Sequence, residues 1–183
     1  MCNAVGEREV RVQRVRSYTS LWQPILVVVL FFGSVYYVMM AVNNRDLLWW
    51  WPWFDEEPSE IVIYRAGEEI VITPDSPGYA ALVQAANQSL SRRVGYLNLG
   101  LSEPTLEEYA TEATVMELSY PAYVSMHSQY RLVPFDGLLI PLTGRHSESR
   151  VVFFSQGGQY IAGAVQLATT DPIKDALVDL GYW

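Results

Sequence analysis

The longest apolar stretch of the chain is residues 21–42, which read LWQPILVVVLFFGSVYYVMMAV without a single charge. A helix of this length extends roughly 33 Å, and the hydrocarbon core of a bilayer is about 30 Å thick. A buried core helix is seldom so long and so free of charge. A cleaved signal peptide has a shorter apolar region, about 7–15 residues, that ends in small residues. The pattern therefore predicts an uncleaved transmembrane helix over residues 21–42.

Alternating patterns begin near residue 60. The β-rich runs 61–65 and 69–73 flank a Gly-containing loop of three residues, which predicts a hairpin. Asp75 or Ser76 can then cap a helix whose apolar positions recur at helical spacing. Gly95 is a candidate end for this helix.

The same plan returns at the C-terminal end. Runs 151–154 and 159–167 flank four turn-forming residues and predict a second hairpin. The sequence Thr169–Pro172 then opens a helix that Gly181 ends. The two hairpin–helix units are either a duplicated ββα unit or two uses of the same capping chemistry.

Between these units the pattern predicts shorter elements. Residues 105–112 favour a helical turn, and Asp136-Gly137 is typical of a turn. Alternating or β-rich runs predict strands over 113–120, 122–127, 130–134 and 138–142. The chain is thus predicted to be α+β: a single N-terminal transmembrane helix is followed by a mostly antiparallel sheet domain with two packed helices. The sheet has six to eight strands, and both helices cover one face.

The distribution of charge along the chain predicts its orientation across the membrane. Residues 1–20 carry four arginines and two glutamates, 4 − 2 = +2, whereas residues 43–183 carry eight basic and eighteen acidic side chains, 8 − 18 = −10. Positive charge flanking a span is retained on the cytoplasmic side. We therefore expect a basic cytoplasmic tail over 1–20, a span in the plasma (inner) membrane, and an extracytoplasmic domain over 60–183.

Residues 43–59 form an aromatic juxtamembrane segment between the span and this domain. Tryptophan prefers the membrane–water boundary, because the ring is apolar and its N–H reaches water. If the helix continues past the span as far as Trp51, Pro52 would end it. The segment contacts either the lipid interface or an integral membrane protein, and its predicted contact residues are Trp49, Trp50, Trp51, Trp53 and Phe54.

Four residues within the span are candidate contacts with a neighbouring helix. Gly33 and Ser34 are small, although they form no GxxxG pair. Tyr36 and Tyr37 either hydrogen-bond to a neighbouring helix or reach toward the outer interface.

Candidate chemistry is sparse. The chain has two histidines and one cysteine, and it lacks the sequence motifs of zinc proteases, phosphate loops and serine hydrolases. We predict no cofactor, no metal site and no enzymatic activity. The acidic domain argues against nucleic acid, whose phosphates require cations.

Three functions follow, in order of preference. The first is a non-catalytic accessory or interaction subunit of a larger membrane complex. The second is an extracytoplasmic sensor or small-ligand-binding domain, which requires a cavity of roughly 300 Å³ or more. The third is a hydrolase that would use His127 and Asp136.

Overall fold

A computed structural model describes residues 22–183, so the predicted tail over residues 1–20 lies outside the described residues. The described chain divides into two compact units between Val38 and Met39. Its helices are α1 (Trp22–Asn44), α2 (Tyr79–Leu90), α3 (Glu103–Thr111) and α4 (Asp171–Asp179). Its strands are β1 (Glu60–Arg65), β2 (Glu68–Ile72), β3 (Arg93–Leu97), β4 (Thr114–Val124), β5 (Phe135–Pro141), β6 (Val151–Gln156) and β7 (Gln159–Leu167).

Helix α1 has 23 residues and is long and apolar enough to cross a membrane, the one such helix within residues 22–183. Its apolar side chains are exposed on all sides, whereas the core helix of a globular domain buries one face.

Two backbone hydrogen bonds define the end of α1. Arg45 adopts a left-handed conformation with φ 54°, and its amide donates to the Val42 carbonyl at 3.3 Å. The next amide, of Asp46, donates to the Ala41 carbonyl at 3.1 Å. These two bonds form the Schellman motif that ends many helices, usually with glycine at the left-handed position. The helix therefore ends at Asn44, two residues past the predicted span, and does not continue to Trp51 and Pro52.

The second unit contains one seven-stranded sheet with the order β2-β1-β4-β5-β6-β7-β3. Each neighbouring pair is antiparallel, so the predicted mixture of helices with a mostly antiparallel sheet is confirmed. Strand β3 pairs with β7 at the opposite edge from β2, although α2 separates β2 from β3 in the chain.

Helices cover both faces of this sheet. Helices α2 and α4 pack over one face, where their buried side chains join the main core with Phe135, Phe154 and Met116. Helix α3 contributes Tyr109 to a smaller cluster on the other face, with Phe153. The prediction placed two helices on one face; it missed this third layer because the sequence indicated only a helical turn at residues 105–112.

Both predicted hairpins form, with tighter turns than predicted. The β1–β2 loop is Ala66-Gly67 and the β6–β7 loop is Gly157-Gly158, so each has two residues. All four residues have positive φ, as a type I′ turn requires. Two-residue turns of this type match the natural twist of paired strands, which explains why the longer predicted loops were wrong.

Several local predictions failed where tertiary contacts override the pattern. Gly95 lies within β3 rather than at a helix end, and Gly78 occupies the N-cap of α2 in place of Asp75 or Ser76. Residues 130–134 form a loop, and Asp136-Gly137 lies within β5. The Asp136 carboxylate accepts from the Gly157 amide at 2.7 Å, which ties β5 to the neighbouring turn.

Candidate functional site

The indole segment, defined as residues 47–54, leaves α1 through a turn that Asp46 organises. One carboxylate oxygen of Asp46, Oδ1, accepts from the Leu48 amide at 2.8 Å and contacts His127 Nδ1 at 2.9 Å. The Trp51 amide then donates to the Leu48 carbonyl at 2.7 Å. The segment is therefore a compact turn held against the loop that contains His127.

Most of the predicted contact residues in this segment are exposed. Trp50, Trp51 and Trp53 expose 53%, 42% and 65% of their surfaces, Leu47 exposes 72%, and Trp49 is half-buried. The Trp50 and Trp51 rings meet edge to face, with centroids 5.5 Å apart. This geometry leaves a broad, exposed apolar surface directly after α1 in the chain.

Phe54 is the exception among these predicted contact residues. Its side chain is only 5% exposed, and its ring centroid lies 6.2 Å from those of both Tyr120 and Phe135. The Ser91 hydroxyl accepts from the Phe54 amide at 3.0 Å and donates to its carbonyl at 3.3 Å. Phe54 therefore fastens the indole segment to the domain core and offers no surface to lipid or to a partner.

Arg93 joins the indole segment to two other parts of the domain. Its guanidinium donates to the carbonyls of Leu90 at 2.5 Å, His127 at 2.7 Å and Trp51 at 3.5 Å. Burial lowers the pKa of Arg93 to about 10, because desolvation disfavours the charged form. All three acceptors are carbonyl oxygens, so no carboxylate is bonded to this positive charge within residues 22–183.

Three open clefts surround the indole segment. The Arg93 cleft, about 320 Å³, is lined by Trp49, Trp50, Trp51, Pro52, Ser91, Arg93, His127, Ser128, Gln129 and Tyr130. A neighbouring cleft of about 460 Å³ lies between residues 44–46 and the 125–134 loop. A broader one of about 930 Å³ lies between residues 51–55 and the surface of α2. The clefts could admit small ligands, although each is open to solvent.

The four span residues predicted to contact a neighbouring helix are all exposed. The Ser34 hydroxyl donates to the Leu30 carbonyl of its own helix at 2.7 Å, and a Cβ at Gly33 would meet no atom within 4 Å. Their role as helix contacts stays a prediction.

The histidines do not form the predicted hydrolase pair. His127 pairs with Asp46, whereas Asp136 accepts from the Gly157 amide. His146 Nδ1 lies 2.8 Å from the Tyr109 hydroxyl, and burial and Arg145 lower its pKa while Glu108 opposes them. Among residues 22–183, no group of three or more His, Cys, Asp or Glu side chains could hold a metal ion.

A second polar cluster lies on the sheet face that carries α3. Glu117 on β4 accepts from the Tyr160 hydroxyl at 2.9 Å and from the Tyr64 hydroxyl at 3.3 Å. Burial, with the Glu117 charge, raises the pKa of Tyr64 to about 12 and that of Tyr160 higher still. Both phenols therefore stay protonated and serve as donors, which indicates a structural cluster rather than a reactive one.

The sequence does not indicate the roles of Asp46, Ser91 and Arg93 at the indole segment. Each makes its decisive contact with residues far away in the chain, and no local pattern marks such contacts. Comparisons with protein-family models, with curated proteins and with solved structures return no match for this chain.

Proposed function

We propose that this chain is a single-pass membrane-anchored protein whose indole segment docks a larger integral membrane protein. The domain of residues 60–183 would lie outside the plasma (inner) membrane and act as a non-catalytic accessory subunit. The observation that carries this proposal is the exposed apolar surface of Leu47, Trp50, Trp51 and Trp53. Contiguous exposed apolar surface marks interaction sites, and tryptophan is enriched among the residues that dominate binding energy.

The rigidity of the indole segment favours a protein partner over lipid alone. Phe54 is fixed in the core, and Arg93 holds the Trp51 carbonyl and the 125–134 loop together. A segment held in one conformation loses little entropy when it binds a complementary surface. A lipid interface, which is fluid, does not require such a fixed arrangement.

The charges that flank the span support the proposed direction of insertion. Arg8, Arg11, Arg14 and Arg16 precede the span, and Arg45 alone follows it closely. Cytoplasmic flanks carry such excess positive charge, so the N-terminus would be cytoplasmic and the acidic domain outside.

Membrane anchoring and direction are tested by fractionation and protease protection. We expect the full chain to stay in membranes washed with alkaline carbonate and to need detergent for release. A protease added to cells with a permeabilised outer envelope should digest the domain. Recovery of the intact chain in the soluble fraction, or complete protection of its domain, would contradict the proposal.

Docking is tested by photocrosslinking in native membranes. A photoreactive phenylalanine in place of Trp53 should give a discrete heavier adduct containing a second protein. The matched control is the same substitution at Val178 on α4, which is 56% exposed. Adducts with lipid alone, or equal protein adducts from both positions, would count against docking through the indole segment.

A second candidate function, an extracytoplasmic sensor or small-ligand-binding domain, is favoured by the clefts of about 320 to 930 Å³. Ligand sites commonly fall within this range of volume. Native mass spectrometry of the detergent-purified chain checks this candidate. A discrete bound mass supports it, and a bare chain under several lysis conditions contradicts it.

A further inference from the structure

The Arg93 cleft combines a cation with aromatic walls. If the chain is anchored in a membrane as proposed, this combination lies near lipid headgroups. The cleft begins at Trp49, five residues after α1 ends at Asn44. Five residues span at most about 18 Å, so a chain anchored through α1 keeps this cleft near the bilayer surface.

The charge of the cleft is opposite to that of the domain around it. Residues 43–183 carry eighteen acidic and eight basic side chains, yet no carboxylate lines the Arg93 cleft. Its lining includes Arg93 and His127, and His127 already contacts the neighbouring carboxylate of Asp46. The adjoining cleft, which shares His127 and Tyr130 with this one, is lined by two arginines, Arg45 and Arg131, and by one carboxylate, Asp46.

Arg93 retains donors for a ligand. A guanidinium has five N–H groups, and the three bonds of Arg93 use one on Nη1 and two on Nη2. The Nε–H and the second Nη1–H have no acceptor in the described part of the chain. These two donors lie on different edges of the guanidinium, so each can give a phosphate oxygen one charge-assisted hydrogen bond rather than a bidentate pair.

We propose that the Arg93 cleft binds the phosphate of an anionic phospholipid headgroup, with Arg93 as the cation and the indoles of residues 49–51 as its walls. A lipid phosphate is favoured over a soluble anion because its glycerol and acyl region can extend along exposed Trp50 and Leu48. The headgroup would thereby fix the height of the domain above the membrane. This inference rests on the proposed anchoring, and it leaves Trp53, which does not line the cleft, available to a protein partner.

The test uses the full chain purified in micelles of a neutral detergent. Dioctanoyl phosphatidylglycerol is titrated in, and binding is followed by tryptophan fluorescence because three indoles line the cleft. Dioctanoyl phosphatidylcholine and inorganic phosphate are the comparison probes. We expect saturable binding of phosphatidylglycerol, weaker binding of phosphatidylcholine, and none of inorganic phosphate over the same concentrations.

The decisive variant is Gln129→Glu, which adds one negative charge to the cleft at an exposed position and leaves Arg93 in place. We expect it to weaken phosphatidylglycerol binding about five- to tenfold, as one nearby like charge does in a partly solvated site. Gln159→Glu is the matched control, since it adds the same charge at an exposed position in the β6–β7 hairpin. We expect it to leave binding unchanged.

Three results would overturn the inference: no saturable binding, equal weakening by both glutamine substitutions, or inorganic phosphate binding as tightly as the lipid. The last result would assign the cleft to a soluble anion. None of them affects carbonate extraction or crosslinking at Trp53, so failure of the lipid site stays distinguishable from failure of the proposed anchoring and docking.

Discussion

Trp53 and Phe54 are adjacent aromatic residues in opposite environments. Trp53 exposes 65% of its surface, while Phe54 exposes 5% and stacks with Phe135 at a centroid distance of 6.2 Å. These two successive side chains lie on opposite sides of the chain, one toward solvent and one toward the core. Trp53 is therefore available for contact, while Phe54 anchors the segment in the core. A short segment can in this way be both exposed and rigid.

This difference in burial predicts a large loss of stability when Phe54 is replaced by alanine and a small change when Trp53 is. Phe54→Ala should lower the free energy of unfolding by about 3–5 kcal/mol, because it leaves a cavity in the core. Trp53→Ala should change it by less than about 0.5 kcal/mol, since an exposed side chain contributes little packing. Urea unfolding of the full chain in detergent, followed by far-UV circular dichroism, measures both. Equal losses would contradict the assigned burial of Phe54.

At the scale of elements, the two hairpins depend on their turn residues. Ala66 and Gly67 both adopt positive φ, 47° and 85°, between β1 and β2. Gly67 would have space for a side chain, so its backbone conformation alone requires glycine. The hairpin supplies β1, which also pairs with β4, so the turn helps to position a strand inside the sheet.

We expect Gly67→Ala to lower the free energy of unfolding by about 1 kcal/mol, the cost of a left-handed backbone for a residue with a Cβ. Gly100→Ala is the control, because Gly100 also has open space but no positive φ. It should be neutral or slightly stabilising, since alanine reduces the entropy of the unfolded chain. Thermal unfolding by circular dichroism compares the two. A larger loss at Gly100 would contradict the turn assignment.

At the scale of the whole molecule, buried tyrosine phenols make the stability of the fold depend on pH in the alkaline range. Burial is the main cause that raises the pKa of five tyrosines above the ordinary value of 10.0: Tyr64, Tyr79, Tyr109, Tyr120 and Tyr160. A group with a raised pKa in the folded state contributes stability that is complete below its unfolded pKa. That stability is lost as pH rises from about 10 toward 12, the folded value of Tyr64. Arg93, with its lowered pKa, acts in the opposite direction, but it is one group against five.

The free energy of unfolding should therefore fall with pH above about 10. Tyr160→Phe should make this fall shallower, because it removes one buried phenol. Tyr123→Phe should not change it, since Tyr123 is 62% exposed and serves as the matched control. Urea titrations at several pH values between neutral and strongly alkaline measure the slopes. A stability that is constant across this range would contradict the assigned burial of these tyrosines.

The sequence by itself determined the elements that depend on local periodicity. The apolar helix was placed to within two residues of its observed end, and both hairpins and helices α2 and α4 lie where their patterns predicted. These features follow from the spacing of apolar side chains and from turn chemistry, which act over a few residues. The acidic character of the domain likewise required only the composition.

The tertiary structure alone decided which side chains meet. Arg93 bonds residues 42 and 34 positions away, Ser91 bonds Phe54 across 37 positions, and β3 pairs with β7 at the far edge of the sheet. Such contacts form because packing both sheet faces brings distant segments together, and their partners share no local pattern. The burial of Phe54, the rigidity of the indole segment and the Arg93 cleft are therefore products of the fold, while the apolar helix α1 that precedes them in the chain follows from the sequence.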